Sequence, residues 1–255
     1  LKHLKSRTPE IGLIGHIVAG YPSVDESKAI VKALVEAGAS AIEVQFPFSE
    51  PTADGPLFLA ANQQAIASGI TTNDCLNILA EISSAFPQVE FVVMTYANIL
   101  YRPGLAVMCE KIGKAGAKAV ICPDWPYDAG EELVAVLNRY GLGWIPVIAP
   151  TTSVQRADSM LRLGSCFAYL VARKGVTGER SQMDAELTER VREIGALTDL
   201  PIAVGFGIQS ADDIRALIGI ADFAIIGSQS LRTYVDGGLN GLRKLWSNFA
   251  DATKA

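Results

Sequence analysis

A corner that recurs along this chain constrains its fold more than any other feature. Glu36-Ala-Gly-Ala-Ser-Ala-Ile-Glu-Val44 is matched by Lys114-Ala-Gly-Ala-Lys-Ala-Val-Ile-Cys122. Looser copies are Leu163-Gly-Ser-Cys-Phe-Ala-Tyr-Leu-Val171 and Ile218-Gly-Ile-Ala-Asp-Phe-Ala-Ile-Ile226. Each reads as the end of a helix, a glycine that stops it in the left-handed conformation, and a short apolar run suited to a strand buried on both faces. A chain that repeats helix, stop and buried strand is building parallel βα units, because parallel neighbours need a crossover between them.

The same alternation extends over the whole chain. Apolar residues at helical spacing predict helices over 23–37, 72–85, 103–115, 129–139, 153–163, 183–196 and 210–217. Acids just after Ser23 and Ser210 suit helix N-termini. Apolar runs predict strands over 11–19, 41–45, 90–95, 119–122, 143–148, 166–171, 201–205 and 222–226. Eight such units in 255 residues predict one closed (β/α)8 TIM-barrel domain spanning 1–255. The alternative is a doubly wound open sheet. That fold usually carries a glycine-rich nucleotide fingerprint after its first strand, whereas Ala19-Gly-Tyr-Pro22 has one glycine.

Composition narrows the function classes. The chain is 49% hydrophobic and 19% charged, which suits a sizeable core. Its apolar runs are far too short to span a bilayer, and no apolar run of signal-peptide length follows the basic N-terminus. Cys75, Cys109, Cys122 and Cys166 show no metal-type spacing, and a reduced cytoplasmic setting is expected. A net charge of −5 with dispersed basic residues argues against nucleic acid as the main partner.

Strand alternation singles out one acid. In Ala41-Ile-Glu-Val-Gln45, Ala41, Glu43 and Gln45 share one face, and Ile42 and Val44 share the other. The apolar pair suits the surrounding helices, so Glu43 points into the barrel, where burial should raise its pKa. A purely structural Glu43 would need a basic partner inside, and no neighbouring strand offers an obvious Lys or Arg at an inward position. A site role is therefore favoured. Asp54 lies in the loop after that strand, on the face where barrels carry their sites, yet Ala53-Asp-Gly-Pro56 is also ordinary turn chemistry. Asp124 is either an orienting group or a loop cap. Tyr169 either points its hydroxyl at the mouth or packs in the core. His16 is a weaker pocket candidate on the first strand, His3 lies in an irregular tail, and Trp125, Trp144 and Trp246 suit packing.

Three glycine-bearing segments follow the last three strands: Lys174-Gly-Val-Thr-Gly178, Val204-Gly-Phe-Gly-Ile208 and Ile226-Gly-Ser228. One alone is a tight turn. Three at adjacent mouths predict backbone amides around a phosphate. No P-loop lysine motif is present, which disfavours nucleoside triphosphates. The polar segment 173–182 is either a lid or a surface loop.

On these residues the chain resembles the tryptophan synthase alpha subunit family, from about Gly15 to Ser228. The resemblance rests on Ile42-Glu-Val-Gln-Phe-Pro-Phe-Ser-Glu-Pro-Thr-Ala-Asp-Gly-Pro56, Met94-Thr-Tyr-Ala-Asn98, Tyr169 through Gly175-Val-Thr-Gly178, and Gly205-Phe-Gly-Ile208. The first is family-specific; the last two occur in related phosphate-binding barrels. The resemblance implies a lyase of tryptophan biosynthesis that cleaves indole-3-glycerol phosphate to indole and glyceraldehyde 3-phosphate. It implies Glu43 and Asp54 as catalytic acids with Tyr169 supporting them. It implies Thr177, Gly178, Phe206, Gly207, Gly227 and Ser228 around the substrate and its phosphate, with Thr177 tying the lid to Asp54. It implies no metal and no organic cofactor on this chain, pyridoxal phosphate being carried by a partner beta subunit in an alpha2beta2 heterotetramer. The loop 48–56 and the helix after it are expected to form much of that contact.

Three positions depart from the family's usual pattern: Gln45 stands for glycine, Glu50 for aspartate, and His16 for an apolar residue. Gln45 is expected to narrow the pocket or to bond the Glu43 carboxylate. The departures keep other readings in view: a free-standing indole-releasing lyase, or a non-catalytic alpha-like protein that activates a beta subunit. A sugar-phosphate isomerase barrel is a third, disfavoured by the long match from Glu43 to Pro56.

Overall fold

Parallel strands and the helices between them position everything else. The computed structural model describes residues 10–171, 180–205 and 207–254. Its strands are β1 (Gly12–Val18), β2 (Ala41–Gln45), β3 (Glu90–Met94), β4 (Ala119–Ile121), β5 (Gly143–Trp144), β6 (Val147–Ile148), β7 (Ala168–Val171), β8 (Ile202–Gly205) and β9 (Phe223–Ile226). They form one sheet in the order β5-β4-β3-β2-β1-β9-β8-β7-β6, and the pairings from β5 round to β6 are parallel.

The two ends of that sheet, β5 and β6, are separated in the chain by Ile145 and Pro146 alone. Ile145 N donates to Val120 O at 3.0 Å, and Tyr169 N donates to Pro146 O at 3.0 Å. The edges are thus joined covalently and the sheet closes into a barrel. The run 143–148, predicted as one strand, is a single stave broken at a proline that has no N–H to give the ladder.

The helices are α1 (Val24–Glu36), α2 (Pro56–Ala67), α3 (Thr72–Ala85), α4 (Ala97–Tyr101), α5 (Leu105–Lys114), α6 (Gly130–Arg139), α7 (Val154–Leu163), α8 (Arg180–Gly195), α9 (Ala211–Leu217) and α10 (Ser228–Ala252). Seven match the predicted segments, α3 at both ends and the other six with shifted ends. Helical spacing alone did not reveal α2, α4 or α10. The start of α2, Pro56-Leu-Phe-Leu-Ala-Ala61, is apolar on every side and shows no stripe. α4 spans five residues, and α10 is kinked at Gly238, which has φ 60°.

Of the four glycine corners, Gly38, Gly116 and Gly219 take the left-handed conformation, with φ of 96°, 96° and 75°. Gly164 does not; its φ is −67°. Close packing requires glycine there instead, because an added Cβ would lie 2.8 Å from Pro146 Cγ. The left-handed residue of that corner is Cys166, with φ 73°.

The core has two layers. Ile42, Val44, Phe91, Val93 and Val120 pack outward with the helices, while Ile14, Ala41, Val92, Met94, Ala119 and Ile121 fill the interior. Alternation thus sends Ile42 and Val44 out and Ala41 in, as predicted. Phe167 and Phe223, with ring centroids 6.3 Å apart, close the N-terminal end of the barrel. Among the described residues no helix is long and apolar enough to cross a membrane.

Candidate active site

A cavity of about 190 Å³ opens at the C-terminal ends of the strands. Met94, Ile121, Val147 and Ile225 form apolar wall; His16, Glu43, Asp54 and Tyr169 bring polar groups to it. Glu43 is only 2% exposed. Its Oε2 is buried and has no hydrogen-bond partner among the described residues. Burial pushes its pKa above the ordinary 4.5; the nearby His16 opposes the rise and the Asp54 charge adds to it. The expectation that no neighbouring strand supplies an inward basic group needs correction for histidine. The β1–β2 register sets His16 opposite Glu43, and His16 Nδ1 lies 3.8 Å from Glu43 Oε2. Strand pairing created that meeting, and no local spacing announces it.

Asp54 does both things that its motif allowed. Its backbone N–H closes a turn on Pro51 O at 2.9 Å, while its side chain enters the site. Oδ2 accepts from Gln45 Nε2 at 2.6 Å and from the Tyr96 hydroxyl at 2.9 Å. The Tyr96 oxygen in turn accepts from Ala53 N at 3.2 Å. Burial first, then the Asp54 charge, holds the Tyr96 phenol well above its ordinary pKa. Asn62 of α2 anchors the start of the loop: its Oδ1 accepts from Phe48 N at 2.9 Å, and its Nδ2 donates to Phe58 O at 2.8 Å. Phe48 stacks on Tyr96 with centroids 4.9 Å apart.

Gln45 is wholly buried and does not line the cavity. It neither narrows the pocket nor bonds Glu43, contrary to expectation. It sits two residues further along β2, about 6.6 Å nearer the mouth, where its amide reaches the loop carboxylate of Asp54 instead. Its Oε1 lies 3.0 Å from His16 Nε2. Glu50 is exposed in the loop. His16 stacks on Phe58 of α2, with centroids 4.3 Å apart and planes inclined by 24°.

Tyr169, on β7, lines the cavity while packing against the interior cluster. Burial, then the charges of Glu43 and Asp54, raise its phenol well above the usual value. Gly205 makes room for it: a Cβ there would lie 2.5 Å from Tyr169 Cε2. Gly207, with φ 63°, Gly227 and Ser228 also line the cavity, and Ser228 begins α10. The first amides of α10 therefore border the cavity, an arrangement that favours an anion. Thr177, Gly178 and Phe206 lie outside the described residues, as does most of the segment 173–182.

Asp124 is a cap and does not line the cavity. Its Oδ1 accepts from Ala97 N at 2.9 Å and from the Cys122 thiol at 3.4 Å, tying the loops after β3 and β4 together. Trp125, Trp144 and Trp246 are buried packing residues. Tyr96 and Phe58 were not singled out from sequence. Tyr96 continues the inward alternation of Val92 and Met94 beyond the end of β3, and that period was the available signal.

Residues 1–248 match the family model of the tryptophan synthase alpha chain. The chain is 39% identical over 230 residues to the tryptophan synthase alpha chain of Syntrophotalea carbinolica, covering 90% of each chain. It is 39% identical over 235 residues to that of Methanosarcina acetivorans, covering 91% of this chain and 84% of the relative. Among solved structures, Mycobacterium tuberculosis tryptophan synthase superposes with a TM-score of 0.88 at 32% identity, over 97% of this chain and 94% of the other. The chain belongs to the tryptophan synthase alpha chain family, lyases of tryptophan biosynthesis that cleave indole-3-glycerol phosphate and pair with a beta subunit that carries the pyridoxal phosphate.

Proposed function

We propose that Glu43 and Asp54 carry out the cleavage of indole-3-glycerol phosphate, with Tyr169 supporting them and the start of α10 holding the phosphate. The observation that carries this reading is the meeting of two carboxyl groups at one small cavity, one of them buried and raised in pKa, that a helix N-terminus also borders. The reaction needs a proton at indole C3, loss of a proton from the glycerol hydroxyl, and rupture of the carbon–carbon bond between them. A Glu43 that holds its proton supplies the first and, as carboxylate, takes the second, so its protonation is restored at the end of the cycle. Asp54 accepts the indole N–H and stabilises the cationic indolenine formed in between. The apolar wall of Met94, Ile121 and Val147 suits the indole ring. Gly207, Gly227 and Ser228 offer backbone amides to the phosphate, and Thr177, Gly178 and Phe206 complete the substrate set that the family pattern implies.

The beta subunit is assigned to the face carrying the loop 48–56. A groove there is lined by Pro47, Phe48, Ser49, Ile66, Asn98 and Arg102, and Ile66 is 40% exposed. The loop that would meet the partner also carries Asp54, giving a short physical route from assembly to chemistry. A cytoplasmic setting is kept, supported by four free cysteines.

The test is indole release from indole-3-glycerol phosphate, with and without a beta subunit. Glu43→Gln should lower kcat by about 10²–10⁴-fold with the fold intact. Asp54→Asn should cost a comparable factor and leave phosphate binding in place. Wild-type turnover in Glu43→Gln would sink the mechanism.

A further inference from the structure

A chain of polar contacts runs from β1 to the loop after β2, and the chemistry of its members fixes its direction. A carboxylate offers only lone pairs, so the Gln45 group 2.6 Å from Asp54 Oδ2 is the amide NH2. The other end of the same amide, Oε1, then faces His16 Nε2 at 3.0 Å. An amide oxygen only accepts, so Nε2 carries a hydrogen. In the neutral ring the lone pair is left on Nδ1, the atom 3.8 Å from Glu43 Oε2. The Phe58 ring, stacked 4.3 Å away, holds the imidazole in place. Gln45 is wholly buried, so water does not compete for either end of its amide. Tyr96 donates to the same Oδ2 that Gln45 holds. Among the described residues both donors converge on Oδ2, which leaves Oδ1 as the oxygen for a ligand.

We propose that Gln45, oriented by His16, is a positioning residue for Asp54: it pins Oδ2, turns Oδ1 to the indole N–H, and sets the His16 tautomer that faces Glu43. The proposal rests on Asp54 being the acceptor of the indole N–H. Gln45 touches no reacting atom and acts through Asp54. A Gln45 that merely filled space could be replaced by leucine with a loss of stability alone.

Two measurements separate these roles. Gln45→Leu should lower kcat for indole release by about 10²-fold, as expected for a misplaced catalytic group, with KM changed less than about threefold because the phosphate anchor remains. His16→Phe should follow it. His16→Gln, whose amide NH2 reaches the position of the imidazole Nε2–H, should recover about tenfold in kcat over His16→Phe. Unchanged kcat in Gln45→Leu, or equal losses in His16→Gln and His16→Phe, would overturn the proposal. The second measurement needs no turnover: ¹⁵N spectra of the histidine ring, assigned with His16→Gln, should show His16 as the Nε2–H tautomer in wild type and a mixture in Gln45→Leu. An Nδ1–H tautomer in wild type would refute the relay. A wild-type chain that released no indole with or without a beta subunit would refute the lyase assignment instead, and the tautomer would still decide the relay.

Discussion

Glu43 is an expensive residue to bury, and its cost has a pH signature. Burial raises its pKa in the folded chain above the ordinary 4.5. Between that value and the folded one, the folded state holds more protons than the unfolded state, so stability falls as pH rises through this window and then levels off. Glu43→Gln removes the titration. At pH 8 the variant should melt above wild type, by about 2–4 °C for each kcal/mol recovered, and the gap should close towards pH 4. A scanning calorimeter reads this directly, and a wild type more stable than the variant at pH 8 would contradict a carboxyl whose burial outweighs the nearby His16. At this scale the inward direction of Glu43 was legible, because alternation is a property of five consecutive residues. The partners of Asp54 were not. Gln45 and Tyr96 lie 9 and 42 residues away from it, and nothing local links them.

Elements were legible where their periodicity was clean. α3 carries its own start signal: Thr71 and Asp74 form a reciprocal cap, and the helix begins at Thr72 as predicted. α2 was hidden because its first six residues are all apolar and leave no stripe to read, although it supplies Phe58 and Asn62 to the site. Gly164 shows a different limit. The corner motif suggests a left-handed stop, but the packing of Pro146 against it is the real constraint. Gly164→Ala forces its Cβ against a rigid ring and should destabilise the chain by about 1–3 kcal/mol in urea unfolding. A neutral result would show that the strand break at Pro146 yields easily.

For the whole molecule, closure at β5 and β6 brings the cavity walls together, and the loop 48–56 links the cavity to an outer face. Ile66→Glu places a charge in the groove beside Phe48. It should weaken association with a tryptophan synthase beta subunit by about tenfold or more, read by sedimentation or calorimetric titration, while leaving the melting of the isolated chain nearly unchanged. An unaltered affinity would move the partner to another face.

By itself, the sequence determined the eight alternating βα units, three of the four left-handed corners and the inward direction of Glu43. These follow from period, turn chemistry and alternation, which act over a few residues. Tertiary structure alone decided that His16 stands opposite Glu43, that Gln45 bonds Asp54 rather than Glu43, and that a proline-broken stave closes the barrel. Those outcomes depend on the register between strands and the path of a loop, which bring together residues as distant in the chain as Gly12 and Phe223, and no short-range pattern encodes them.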